Sequence, residues 1–169
     1  LSASEGWMVA SELAASGIPV IADPLDDLPS SFEQLAATQS NVGRMSDAGV
    51  KVAIGGLSTF DQPRNLTQYA GNLVALERVP RASGLSWGQA LATITSIPAE
   101  ISGLGDKAGV LRAGAMGDVV IWDGDPLEAT SAPVKLWIDG EDMSLNSRQT
   151  ELRDRYNPAS TDTRPHKYR

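Results

Sequence analysis

Two short runs constrain this chain more than any other feature. Ile18-Pro19-Val20-Ile21-Ala22 is a continuous apolar run, Val50-Lys51-Val52-Ala53-Ile54 is again short and rich in β-branched residues, and both are bounded by Gly or Asp. Each is too short for a helix and reads as a buried strand. Between them Phe32, Leu35, Ala36, Gln39, Val42 and Met45 mark one helical face, with a capping box from Ser30 to Glu33 and a stop at Gly49. That spacing predicts one long helix. Strand, helix, strand packs most often as a right-handed parallel crossover, and purely parallel strands need cover on both faces. The fold class expected is therefore α/β.

Helices flank this unit. Ser2-Ala3-Ser4-Glu5 offers capping groups for a helix over residues 5–16, carried by Trp7, Met8, Ala10, Leu13 and Ala14 and stopped by Gly17. Leu66, Tyr69, Ala70, Leu73 and Val74 form the inward face of another helix, ended by Pro80. Ser86 with Gln89 makes a capping box for a third, and a short piece is expected over residues 98–102. From Gly109 the pattern changes. Val110-Leu111, Val119-Val120-Ile121-Trp122 and Val134-Lys135-Leu136-Trp137-Ile138 read as short strands, with Asp139-Gly140 as a hairpin turn. Residues 1–103, 104–147 and 148–169 are thus expected as an α/β part, a small β part and a charged tail, helical only over residues 150–156.

Composition narrows the function classes. With 21 acidic against 14 basic side chains the net charge is −7, which disfavours nucleic acid and anionic membrane surfaces as partners. The segment from Arg148 is locally basic. Cys is absent, so disulfides, thiolate metal sites and cysteine nucleophiles are excluded, while the compartment stays open between cytoplasm and periplasm. The longest apolar runs fall short of the roughly 20 residues that span a bilayer, so a soluble protein is expected. The first residues have neither a basic signal-type region nor an initiator Met, which suggests a chain that starts in mid-protein.

Ser86-Trp87-Gly88-Gln89-Ala90-Leu91-Ala92-Thr93-Ile94-Thr95 is followed in order by Pro98-Ala99-Glu100, Gly109-Val110-Leu111-Arg112-Ala113-Gly114 and Gly117-Asp118-Val119-Val120-Ile121-Trp122-Asp123. Asp123-Gly124-Asp125-Pro126-Leu127 and Trp137-Ile138-Asp139-Gly140 complete the series. This succession resembles the C-terminal signature of the amidohydrolase superfamily, specifically its imidazolonepropionase-like branch. The resemblance implies the C-terminal part of a (β/α)8 TIM-type barrel, with residues 18–22 and 50–54 as its last two strands, plus part of a small β-sandwich. It implies hydrolysis of amide or cyclic amide C–N bonds with zinc or another divalent metal in a complete member. The family's metal ligands are a His-x-His pair on strand one, a Lys or acid on strand four, and His on strands five and six, so none is expected in this chain. The remaining family residue is the Asp of a Gly-Thr-Asp phrase after strand eight, and alignment puts Gly56 at the Thr and Leu57 at the Asp.

The resemblance therefore implies a fragment inactive by itself, completed by the missing barrel portion or another subunit, with a small-molecule amide substrate and a possible homo-oligomer. A noncatalytic scaffold or assembly module is the alternative. The residues leave a short set of site candidates. Asp61 and Asp23 are the catalytic candidates; Arg64, Asn65 and Asp26 are candidates for substrate contact. Asp23, Asp26 and Asp27 follow a strand's C-terminal end, yet the same spacing serves a turn and a helix start. Asp61, Arg64 and Asn65 equally suit a helix N-terminus. Ser58 and Thr59 have no nearby base, and no metal ligand set is expected: His166, the single histidine, reads as a solvated tail residue. Trp122 and Trp137 read as core residues of the β part.

Overall fold

The computed structural model describes residues 3–29, 31–55 and 63–157. Within them β1 (Val20–Ala22) and β2 (Val52–Ile54) pair in parallel, with Val20 opposite Val52, Ile21 opposite Ala53 and Ala22 opposite Ile54. The ladder extends at both ends through Val20 N–H to the Lys51 carbonyl at 2.9 Å and Gly55 N–H to the Ala22 carbonyl at 3.1 Å. Side chains alternate across a strand, so Val20, Ala22, Val52 and Ile54 share one face. All four enter a single hydrophobic cluster with Val42, Met45, Tyr69, Ala70, Leu73, Leu85 and Ala90, and Ile21 and Ala53 point the other way.

Helices α1 (Ala10–Ser16), α2 (Asn41–Asp47), α3 (Leu66–Leu76), α4 (Trp87–Ile94) and α5 (Ser96–Ile101) build the rest of this part. α2, α4 and α5 pack on β2, and α3 packs on α4. The Ser86 capping box is present: its Oγ accepts from Gln89 N–H while the Gln89 side chain accepts from Ser86 N–H at 2.9 Å. Ser86→Ala removes an N-cap acceptor and is expected to cost about 1 kcal/mol. Chemical denaturation followed by circular dichroism checks this, and an unchanged midpoint would show the cap to be energetically silent.

The first helix does not use the cap expected for it. A 3-10 turn over Gly6–Val9 precedes α1, and neither N-cap side chain bonds its helix. Glu5 instead accepts from Ala36 N–H at 2.6 Å, and the Trp7 indole N–H donates to the Ala36 carbonyl at 2.8 Å. These contacts explain a correction: the long helix expected from the Phe32 face is a 3-10 turn (Phe32–Gln34) and a separate α2. With both backbone groups of Ala36 taken by Glu5 and Trp7, an intrahelical ladder cannot run through it. The Thr38 carbonyl then accepts from Asn41 N–H at 3.0 Å, which starts α2 afresh. Phe32 is consequently 87% exposed, while Val42 and Met45 are buried. Ser30 lies outside the described residues. Glu33 has Ser31 as its partner, and that hydrogen bond, with one from its own backbone, holds its carboxyl below the usual range.

The second sheet orders β3 (Val119–Trp122), β4 (Pro133–Ile138) and β5 (Glu141–Asp142), all antiparallel. Ile138 faces Glu141 across Asp139-Gly140, whose φ angles of 51° and 80° are what a two-residue hairpin loop of the primed type requires. The expected strand at Val110-Leu111 is absent. Residues 107–116 instead fold as a loop closed by Met116 N–H to the Lys107 carbonyl at 2.7 Å, and the Arg112 guanidinium bonds the Asp106 carbonyl at 2.6 Å. Leu111 is 83% exposed there. The tryptophans are a further correction, since Trp122 and Trp137 are only half-buried. Lys135 lies over the Trp137 ring at 5.6 Å and pairs with Asp142, keeping that face polar. On the opposite face the register aligns Val120 and Leu136 with Val134 and Ile138, three of which are exposed. α6 (Arg148–Tyr156) follows a Ser147–Thr150 capping box and buries none of its residues.

Candidate functional site

The parallel register brings the C-terminal ends of β1 and β2 side by side, so the loop from Asp23 and the segment from Gly55 leave the sheet at the same end. In α/β barrels this end carries the chemistry because loops can vary there without disturbing the strands. Asp23 is 7% exposed, and its Oδ1 accepts Leu25 N–H at 2.9 Å. That bond is the Asx turn that Asp-Pro spacing favours, so one oxygen of Asp23 is engaged in shaping its own loop.

Three residues further on, Asp26 is half-buried and Asp27 exposed. The Oδ2 atom of Asp26 is enclosed and has no hydrogen-bond partner, the one such side-chain atom among the described residues. Sequence spacing could not separate Asp26 from Asp23, because enclosure depends on how the loop packs.

At the other exit, a 3-10 turn (Pro63–Asn65) leads into α3. Asn65 is the N-cap but bonds no helix N–H; its Nδ2 donates to the Tyr69 hydroxyl at 3.3 Å. Arg64 is exposed, and no ion pair joins it to a carboxylate among the described residues. The candidates Asp61 and Leu57, with Gly56, Ser58 and Thr59, lie outside the described residues, as does His166. Among the described residues no group of three or more His, Asp or Glu side chains comes together closely enough to hold a metal ion. Nor is any helix among them long and apolar enough to cross a membrane.

A clamp that local sequence reading does not reveal ties this part to the second sheet. The Trp87 indole N–H at the start of α4 donates to both carboxylate oxygens of Asp125, at 3.0 and 2.9 Å. Asp125 Oδ1 also accepts Leu127 N–H at 2.9 Å, which turns the buried Leu127 into the cluster of α3. Asp123 works similarly: its Oδ1 accepts Ala132 N–H at 2.7 Å, closing the loop between β3 and β4. Both acids of the Asp-Gly-Asp-Pro phrase are thus structural.

Comparison with known proteins agrees with this arrangement. An amidohydrolase of Thermotoga maritima superposes with a TM-score of 0.73 at 26% identity, covering 83% of this chain and 35% of that one. A zinc-bound adenosine deaminase of Xanthomonas campestris has a TM-score of 0.55 at 24% identity, over 80% of this chain and 34% of its own, and shares the fold. Amidohydrolase tasK of Hapsidospora irregularis is 47% identical over 57 residues, which are 34% of this chain and 6% of that protein. The chain therefore spans about a third of the length of these solved structures and a small part of the curated relative. The profile of the amidohydrolase family matches residues 9–142, and on that match the chain belongs to the amidohydrolase family.

Proposed function

We propose that this chain supplies the last two strand–helix sectors of a TIM-type barrel, with part of a small β-sandwich, in an enzyme that hydrolyses amide or cyclic amide C–N bonds. The observation that carries this reading is the parallel β1–β2 pair, whose strands end together beside the Asp23 loop and the segment leading to α3. A two-stranded parallel sheet is not a self-sufficient unit, because its outer edges leave backbone groups unpaired and its second face needs cover. The other strands come, in this reading, from elsewhere in the polypeptide or from another subunit. The apolar face of Val120, Val134, Leu136 and Ile138 supports the same view of the β part: its cover completes the sandwich.

A divalent metal, zinc by the precedent of the Xanthomonas structure, would supply Lewis-acid chemistry in a complete member. The described residues do not fit a metal centre, since they contain no histidine and Asp23 is engaged in its turn. In this reading its ligands come from the other strands of the barrel, and the imidazolonepropionase-like phrases at residues 86–100 and 109–140 support that branch as the origin. What the chain's own residues do is shape and line: Asp23 sets the course of its loop, while Asp26, Arg64 and Asn65 stand at the strand exits where a small substrate would lie.

This reading expects the 169-residue chain, purified in the presence of zinc, to retain only substoichiometric metal after dialysis and to hydrolyse no amide. Metal analysis by atomic emission and a ninhydrin assay on a set of amides check it. One tightly held zinc per chain together with turnover would overturn it. An inactive complete protein that still assembles would instead favour a scaffold role, for which Leu57 at the position of the family Asp is the motivating observation.

A further inference from the structure

Two exposed surfaces of this chain match one another in charge and apolar content, and neither is covered within the chain. The first lies on the loop after β1, where Leu28, Phe32 and Leu35 are all at least 66% exposed. Pro29, Phe32 and Leu35 border an open hollow of about 330 Å³. Residues 23–35 carry four acids and no base, and the exposed Asp27 and Glu33 stand next to these apolar side chains in sequence. Adjoining apolar groups left in water forgo their burial energy, and such patches with a polar rim mark contact sites.

The second surface is α6. It buries none of its residues, although nine residues are fewer than the roughly 12–15 at which an isolated helix holds in water. A helix this short owes its stability mainly to packing of one face, so α6 calls for a partner. Arg148, Leu152, Arg155 and Tyr156 recur at helical spacing and share a face, with Leu152 and Tyr156 exposed. The ion pair Arg153–Asp154 joins neighbours off that face. α6 also lies beyond residue 142, where the family match ends, so it is an addition to the matched fold.

We propose that α6 of one copy docks on the β1 loop of a second copy, with Leu152 and Tyr156 against Phe32 and Leu35, and Arg148 and Arg155 facing Asp27 and Glu33. Charge complementarity selects this partner: an apolar centre flanked by arginines meets an apolar centre flanked by carboxylates, and every copy carries both. The hollow beside Phe32 is wide enough to take the Tyr156 ring. In a two-fold arrangement each copy gives one helix and receives one, so the contact is made twice and the assembly closes. The proposal is independent of the hydrolytic reading.

Sedimentation equilibrium of the full-length protein tests it, on the wild type and on surface variants whose melting temperatures report an intact fold. The wild type is expected to be a dimer. Phe32→Ser and Leu152→Ser are each expected to weaken that dimer by at least about 10-fold. Two charge reversals, Arg148→Glu with Arg155→Glu and Asp27→Arg with Glu33→Arg, are each expected to weaken it too, because like charges then face each other. Mixing the two reversed proteins puts an acidic helix on a basic loop and a basic helix on an acidic loop, so a one-to-one dimer is expected to return. A wild type that stays monomeric overturns the proposal. So does a dimer indifferent to Phe32→Ser or to Leu152→Ser, and so do reversed proteins that remain apart when mixed.

Discussion

Leu73→Ala is expected to destabilise the chain by about 3–5 kcal/mol, the range for truncating a fully enclosed leucine whose surroundings cannot collapse. Leu73 is 1% exposed and lies in the cluster that joins α3 to α4, β2 and the Leu127 turn. Its backbone is held as well, because the Leu73 carbonyl accepts Leu85 N–H at 3.0 Å. With neighbours fixed by that bond and by the Ser86 cap, the void left by the side chain stays open and the cavity cost adds to the lost transfer energy. A domain of this size shifts its melting temperature by roughly 2–4 °C per kcal/mol, so a fall of about 6–20 °C follows. Leu111→Ala is the matched control: that side chain is 83% exposed and its loss is expected within about 0.5 kcal/mol. Equal effects of the two substitutions in thermal or urea unfolding would contradict the core placement described for α3.

The parts of this fold that read correctly from sequence are those decided locally. Two short runs rich in β-branched residues and bounded by breakers read as buried strands, and their last three residues form β1 and β2. The Ser86–Gln89 cap and the Asp139-Gly140 turn need only residues a few positions apart. Errors arise where distant residues compete for the backbone. Glu5 and Trp7, some thirty residues upstream, take both backbone groups of Ala36, and the helical periodicity around Phe32 is overridden. At Val110-Leu111 the apolar pair is strand-like, yet the loop closed between Lys107 and Met116 leaves it no ladder to join. The candidate site divides in the same way. The turn role of Asp23 follows from the Asp-Pro dipeptide, but the enclosure of Asp26 Oδ2 and the grip of Trp87 on Asp125 are products of packing. Family phrases located the acids around Asp125 without disclosing that their work is to hold Leu127 against α3.

Gly71→Ala tests that last contact, and two opposing effects decide its sign. Replacing an internal helix glycine by alanine stabilises a helix by about 1 kcal/mol through backbone entropy. At Gly71, however, an added Cβ would stand 2.2 Å from the Leu127 carbonyl oxygen and 3.2 Å from its carbon. That obstacle is backbone, and it cannot swing aside: Leu127 N–H is tied to Asp125, and Asp125 is tied to the Trp87 indole. Relief requires α3 to separate from the turn, which withdraws Leu127 from the cluster and breaks or stretches the clamp. Overpacking of this kind costs about 1–3 kcal/mol and more where backbone must move, so a net loss of about 2 kcal/mol is expected despite the better helix former. Gly88, in the first turn of α4, has nothing within 4 Å of an added Cβ, and Gly88→Ala is expected to be neutral or to stabilise by up to about 1 kcal/mol. Opposite signs for the two glycines in urea unfolding would establish close approach of the turn to α3. A stabilised Gly71→Ala would place the Leu127 carbonyl away from the helix and detach the second sheet from the core that β1 and β2 share.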